Sequence, residues 1–413
     1  MRAETRSAMT VRIEADLLIP GRGEPIPNGV VVIENDTIVY AGSDDAAPAT
    51  PEAHLSVVST VLPGLWECHG HFVGIERPDV VEQLREPVSR QAARAVGDLA
   101  RTLMGGVTSV REVGGHGLDI QPAIAAGQVM GPTVFGAGRI LSTTGGHGDI
   151  HSIPLDLIHD LPHLGILCDG VPEVIKAVRT NLRRNARIIK VCASGGVMSE
   201  VDHPIHQQFS HEELVAIVEE AGRAERYVAA HCHGKPGIMA ALRAGVHTIE
   251  HGSFMDEEAA DLMVETGAIY VPTRFVIDQL LHMEDILPPY AYKKGLMVGD
   301  AQAAAMKLAV AKGVKIAMGT DIFVSGDMYG RNSLEIKFLQ DAGMTALDAI
   351  EAATANGPDT LGPQAPLSGQ LKESYDADVI AIDFNPLEDN SGWGDPERVT
   401  HIWQAGVSVK SPA

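Results

Sequence analysis

The chain has 413 residues, 45% of them hydrophobic, which is enough for one large core or a large domain with a small companion. Its 54 acidic residues against 32 basic give a formal net charge of −22, which repels phosphate backbones and argues against a nucleic-acid partner. No apolar run reaches bilayer length and the first residues lack a signal-peptide core, so a cytoplasmic protein with no membrane partner is expected.

In chain order, the first sixty residues read as short β-branched strands (11–19, 29–33, 37–42) bounded by Gly, Pro, Asn and Asp. From 63 to 364 strand and helix signals alternate, with strand-like runs near 62–68, 107–112, 132–137, 187–193, 226–232, 245–250, 268–273 and 314–320. Between them, Ser210 and Glu213 form a capping box, Asp256 caps a helix that stops at Gly267, and an alanine-rich helix ends before Gly313. The last fifty residues return to strands at 378–383, 399–403 and 407–409. The expected fold is α/β: a (β/α)8 barrel over 63–364, with a small β-sandwich built from 1–62 plus 365–413. Three long loops, 139–170, 274–297 and 322–334, fall where such a barrel builds its pocket.

Ligand-type residues collect at the ends of these runs. His69 and His71 are two apart, so a strand turns both imidazoles to one face. Lys190, His231, His251 and Asp321 each follow a separate apolar run. Imidazole and carboxylate are the ordinary ligands of zinc-like ions, and convergence from several strands favours a metal site over four core histidines. His203, His206, His211, His159 and His163 lie in polar segments and read as solvent-facing. Cys68, Cys168, Cys192 and Cys232 form no C-x-x-C pair and read as reduced thiols; Cys192 shares the face of Lys190. A buried lysine is costly alone, so either Lys190 pairs with a carboxylate or its neutral amine adds carbon dioxide to become an anionic carbamate.

The ordered set of His-x-His, lysine, two histidines and aspartate resembles the amidohydrolase superfamily. The stretches 144–149, 189–199, 250–253, 362–371 and 377–382 are similar to its ochratoxinase and Xaa-Pro, Xaa-Arg or Xaa-Lys carboxypeptidase (prolidase-like) branch. The resemblance implies two divalent metal ions, usually Zn2+. It maps His69, His71 and Asp321 to the first, His231 and His251 to the second, and carboxylated Lys190 to the bridge. It implies amide hydrolysis by a bridging hydroxide with Asp321 as proton shuttle, and a homo-oligomer, an octamer by analogy.

His233, two residues after His231, and His147 in the Gly-Gly-His-Gly-Asp loop are candidate catalytic donors to the developing oxyanion; the alternative is that each only packs. Asp149 and His151 read as scaffolding of that loop. Arg274 is the candidate for gripping a substrate carboxylate, weighed against a plain surface arginine, with Arg331 a weaker choice. The expected substrate is a small N-acyl amino acid or peptide with a free C-terminal carboxylate, ochratoxin-like amides included. The alternatives are cyclic amides, carbamates or ureas on the same centre, and a non-catalytic scaffold barrel.

Overall fold

The computed structural model describes residues 10–158 and 164–412. His159 and His163 lie outside that range. Sixteen strands are named here: β1 Thr10–Leu18, β2 Ile26–Glu34, β3 Thr37–Ser43, β4 His54–Pro63, β5 Leu65–Gly70, β6 Val107–Glu112, β7 Thr133–Gly136, β8 Ile140–Ser142, β9 Gly165–Leu167, β10 Ile189–Cys192, β11 Val228–Cys232, β12 Thr248–His251, β13 Ile269–Val271, β14 Val379–Ile382, β15 Val399–Gln404 and β16 Val407–Lys410. The fold is α/β.

The middle of the chain holds two parallel sheets, one ordered β13-β12-β11-β10-β8-β9 and one ordered β5-β6-β7. Residues of β5, β6, β10, β11, β12 and β13 are buried throughout, which explains why the sequence shows continuous apolar runs there rather than alternation. Backbone bonds join the sheet edges. Arg187 N donates to Gly136 O at 2.8 Å, linking β7 to the start of β10. On the other side, Tyr270 N donates to Lys315 O and Cys68 N to Met318 O, each at 2.8 Å. The run 314–320 therefore bridges β13 and β5. It differs from the expected eighth strand in being reduced to one ladder bridge, Tyr270 to Ile316.

Helices cover these sheets. The Ser210 hydroxyl accepts from Glu213 N and the Glu213 carboxylate accepts from Ser210 N, so the capping box starts helix His211–Gly222. Asp256 caps Glu257–Thr266, which ends on left-handed Gly267 (φ 71°). Two of the expected loops contain regular structure. Segment 139–170 carries β8, β9 and the short helix Leu155–Ile158, and 274–297 contains helix Arg274–Leu281 and the first turns of Pro289–Lys312.

Strands from both ends of the chain form one sheet, ordered β16-β15-β14-β4-β1-β2-β3. β1 pairs antiparallel with β2 and parallel with β4, and β14 joins β4 to β15. The expected sandwich is met in part: the termini do combine, but as a single hydrogen-bonded sheet. It encloses its own core, in which Ile13, Ile33, Ile38, Val61, Val379 and Trp403 pack together. The four thiols are free and buried.

Candidate active site

Register brings the site together. In the β10–β11 ladder Cys192 faces His231, and in the β11–β12 ladder Cys232 faces His251, so each strand delivers its polar terminus one step further round the rim. His69 lies near the end of β5 and His71 follows that strand directly, and Asp321 N donates to His69 O at 2.9 Å.

Side-chain contacts bring these groups close together. Asp321 Oδ1 lies 3.3 Å from His71 Nε2 and 3.5 Å from His69 Nε2. Its other oxygen is 4.0 Å from His251 Nδ1, and Lys190 Nζ is 3.4 Å from His69 Nε2. The His251 ring centroid is 4.9 Å from that of His69, 4.6 Å from His231 and 4.9 Å from His233. Two donor groups result, His69–His251–Asp321 and His231–His233–His251, each with its atoms within 4.8 Å of one another. His251 belongs to both. Nitrogen and carboxylate donors this close suit a zinc-like divalent ion. The geometry brings His233 into the second group, where the sequence had suggested only an oxyanion donor.

The electrostatics suit ligands. Burial, then the Lys190 charge, pushes His69 down to about 4, and burial brings His233 to about 3. His231 and His251 fall well below the ordinary imidazole value for the same primary reason, so these rings are neutral with a free lone pair. Burial also lowers Lys190, which favours the neutral amine. Burial raises the Asp321 carboxyl, but His69, His71 and Lys190 together bring it below the usual range and keep it ionised.

A surrounding layer, unmarked at the sequence level, orients these groups. Glu250 Oε2 accepts from His69 Nδ1 at 2.7 Å and from Arg111 at 2.6 Å. This carboxylate fixes the tautomer that leaves His69 Nε2 free. Glu67 accepts from His69 N, Thr320 N and Asn332 Nδ2 at 2.8, 2.9 and 2.7 Å, tying β5 to the Asp321 loop. His71 Nδ1 donates to Gly114 O and His251 Nδ1 pairs with Thr273 Oγ1, both at 2.7 Å. His251, Thr273 and Asp321 have φ of 68°, 57° and 59°. Left-handed backbone in such side chains costs on the order of 1–3 kcal/mol each and persists where neighbours over-determine it.

A cleft of about 140 Å³ opens beside this cluster. His71, Asp321, His147, Cys192 and Ser199 supply polar lining; Val73, Ile75, Ile140, Met198 and Phe323 are among its apolar walls. Burial pushes the Cys192 thiol up to about 12, so it lines the cleft as an inert group. His147 stacks on His231 at 4.2 Å between centroids. His233 Nδ1 pairs with Ser253 Oγ at 2.8 Å. Asp149 holds Gly145 N at 2.9 Å and His151 accepts from Val201 N at 3.1 Å, which are scaffolding contacts.

Arg274 sits outside the lining of this cleft. It opens helix Arg274–Leu281, and its guanidinium donates to Gly299 O at 2.7 Å. Arg331 is exposed and absent from the lining too. Among the described residues, no lysine or arginine lines the cleft.

The amidohydrolase family model matches residues 60–409. The chain belongs to the amidohydrolase family. It is therefore a hydrolase of a metal-dependent family, and its two donor groups could each hold a metal ion. Ochratoxinase from Aspergillus niger is 43% identical, aligned over 99% of this chain and 88% of its own length. Its crystal structure superposes with a TM-score of 0.92 at 42% identity, covering 99% of this chain and 97% of that one. A prolidase complexed with N-methylphosphonate-L-proline has TM-score 0.90 and 32% identity, covering 98% of this chain and all (100%) of that one. A Xaa-Pro dipeptidase with methionine bound in its active site has TM-score 0.87 and 31% identity, covering 97% and 100%. No helix among the described residues is long and apolar enough to cross a membrane.

Proposed function

We propose that this protein is a binuclear amide hydrolase acting on N-acyl amino acids or peptides with a free C-terminal carboxylate, ochratoxin A-like amides among them. The observation that carries this reading is the pair of donor groups sharing His251 beside an apolar cleft. The two parallel sheets joined through 314–320 are read as one closed (β/α)8 barrel whose strand ends form the site. His69, His71 and Asp321 would hold one divalent ion, zinc by donor type. His231 and His251, with His233 at hand, would hold the second, and Lys190, carboxylated, would sit between. When bound, the ions supply a Lewis acid for the scissile carbonyl and an activated water.

This chain's own residues do the rest. Asp321, ionised and within 3.5 Å of both His69 and His71, receives a proton from the attacking water and passes it to the leaving amine. Glu250 and Glu67 hold His69 in place. The apolar walls exclude water and select an apolar substituent. With no cationic side chain lining the cleft, the substrate carboxylate is held by His147 and the metal-facing rim. Homo-oligomeric assembly is part of the same proposal and is checked by light scattering.

The test is a substrate panel on zinc-supplemented protein, with metal analysis of the same sample. Turnover of N-acyl amino acids and dipeptides is expected, with about two ions per chain. Activity confined to cyclic amides, carbamates or ureas moves the function to that class. Undiminished turnover by metal-free protein sinks the reading.

A further inference from the structure

The cleft histidine His147 is held by a chain of three residues that reaches into helix Pro289–Lys312. His147 Nδ1 lies 2.8 Å from Ser199 Oγ, and the Ser199 hydroxyl in turn donates to Asp202 Oδ1. Asp202 Oδ2 accepts from Gly196 N at 3.1 Å and Gln208 Nε2 at 3.2 Å. Lys294 Nζ donates to Ser199 O at 2.7 Å, Asp202 O at 2.6 Å, Gly196 O at 3.1 Å and Asp202 Oδ1 at 3.2 Å. One ammonium thus clamps the whole turn 196–202. The side chains of Asp202 and Lys294 are only 5% and 12% exposed, so water does little to weaken the pair. Gly196 lies against the imidazole: a β-carbon there would sit 2.1 Å from His147 Cε1.

The hydrogen bonds have one consistent direction. Burial raises the Asp202 carboxyl, but His147, Ser199 and Lys294 bring it below the ordinary range, so it accepts only. The single Ser199 hydrogen therefore goes to Asp202. Ser199 Oγ must then accept from His147 Nδ1–H, which leaves Nε2 as the ring nitrogen not engaged by this chain. Among the described residues no protein group bonds to that Nε2, and His147 lines the cleft.

We infer that Lys294, Asp202 and Ser199 form a relay that grips His147 at Nδ1 and fixes its ring in the cleft wall, making all three positioning residues for the hydrolysis. The inference rests on the proposed amide hydrolysis and names residues beyond it.

A double-mutant cycle tests it. Ser199→Ala is expected to lower kcat/KM by about 10- to 100-fold, the usual range for partners that orient a site residue, with metal content and thermal midpoint unchanged. Asp202→Asn, which keeps the shape and loses the charge, should behave alike. In a His147→Ala background each should cost less than about 2-fold, because the group they act through is gone. Ser199→Thr, which restores the hydroxyl, should recover most of the loss. If Asp202→Asn lowers folded yield, rates per metal-loaded molecule are compared, and Ser199→Ala carries the cycle. Losses that multiply in the double variants overturn the relay. A wild-type enzyme that turns over no amide at all sinks the function instead, so the two failures are distinguishable.

Discussion

The terminal sheet and the rim of the parallel sheets obey different rules. In the terminal sheet, Ile13, Ile33, Val379 and Trp403 form an apolar core, and the left-handed positions include Asn28 and Asn35, a residue type that tolerates that backbone. On the rim, the left-handed positions are His251, Thr273 and Asp321, and the buried side chains include Arg111, Glu67, Glu250 and Lys190. One region agrees with most local preferences of its residues, left-handed Ala405 in the β15–β16 turn being an exception. The other violates several and is held by its neighbours, which is the expected mark of a site shaped for chemistry.

The sharpest way to break that contrast is at the rim. Asp321→Asn should lower kcat by about 1,000-fold or more, since the carboxylate that moves the proton is gone. Folded yield should be unchanged and metal content largely retained. A variant keeping a tenth of wild-type turnover would remove Asp321 from the chemistry. Chelation should abolish activity and added zinc restore it. A chelated sample that remains fully active would leave the histidine cluster as packing alone.

The converse perturbation belongs to the terminal sheet. Trp403 is 2% exposed within that core. Trp403→Ala should cost about 3–5 kcal/mol of stability, read as a lowered denaturation midpoint. Turnover per folded molecule should not change. If kcat falls while the protein remains folded, the two regions are coupled and the contrast is too simple.

Which parts were legible follows from the same division. Lys190, His231 and His251 stand out because a charged or polar residue closing an apolar run is conspicuous, and the parallel register then brings those ends together. The capping residues Ser210 and Asp256 were equally plain, because capping is local chemistry. Arg111 and Glu250 were passed over, although both sit in buried strands, because their pairing is 139 residues apart in the chain and no spacing encodes it. Lys294 was hidden in a polar stretch that read as loop. The eighth run was recognised, but its reduction to a single bridge depends on contacts with β13 and β5 rather than on its own residues.

The smallest expected effect concerns Arg274. As a carboxylate clamp it would raise KM for free-acid substrates when removed, and leave amidated ones alone. The structure gives it other work: its side chain donates to Gly299 O at 2.7 Å, and its backbone N donates to Glu335 at 2.8 Å. Only the first of these bonds depends on the side chain. Arg274→Ala should therefore loosen the tie between helices Arg274–Leu281 and Pro289–Lys312, at a cost of about 1–2 kcal/mol. KM should change by less than about 2-fold, equally for acid and amide forms, since no part of the residue reaches the cleft. A rise confined to the free acids would show that the first helix turns inward when substrate is bound, and would restore Arg274 to the site.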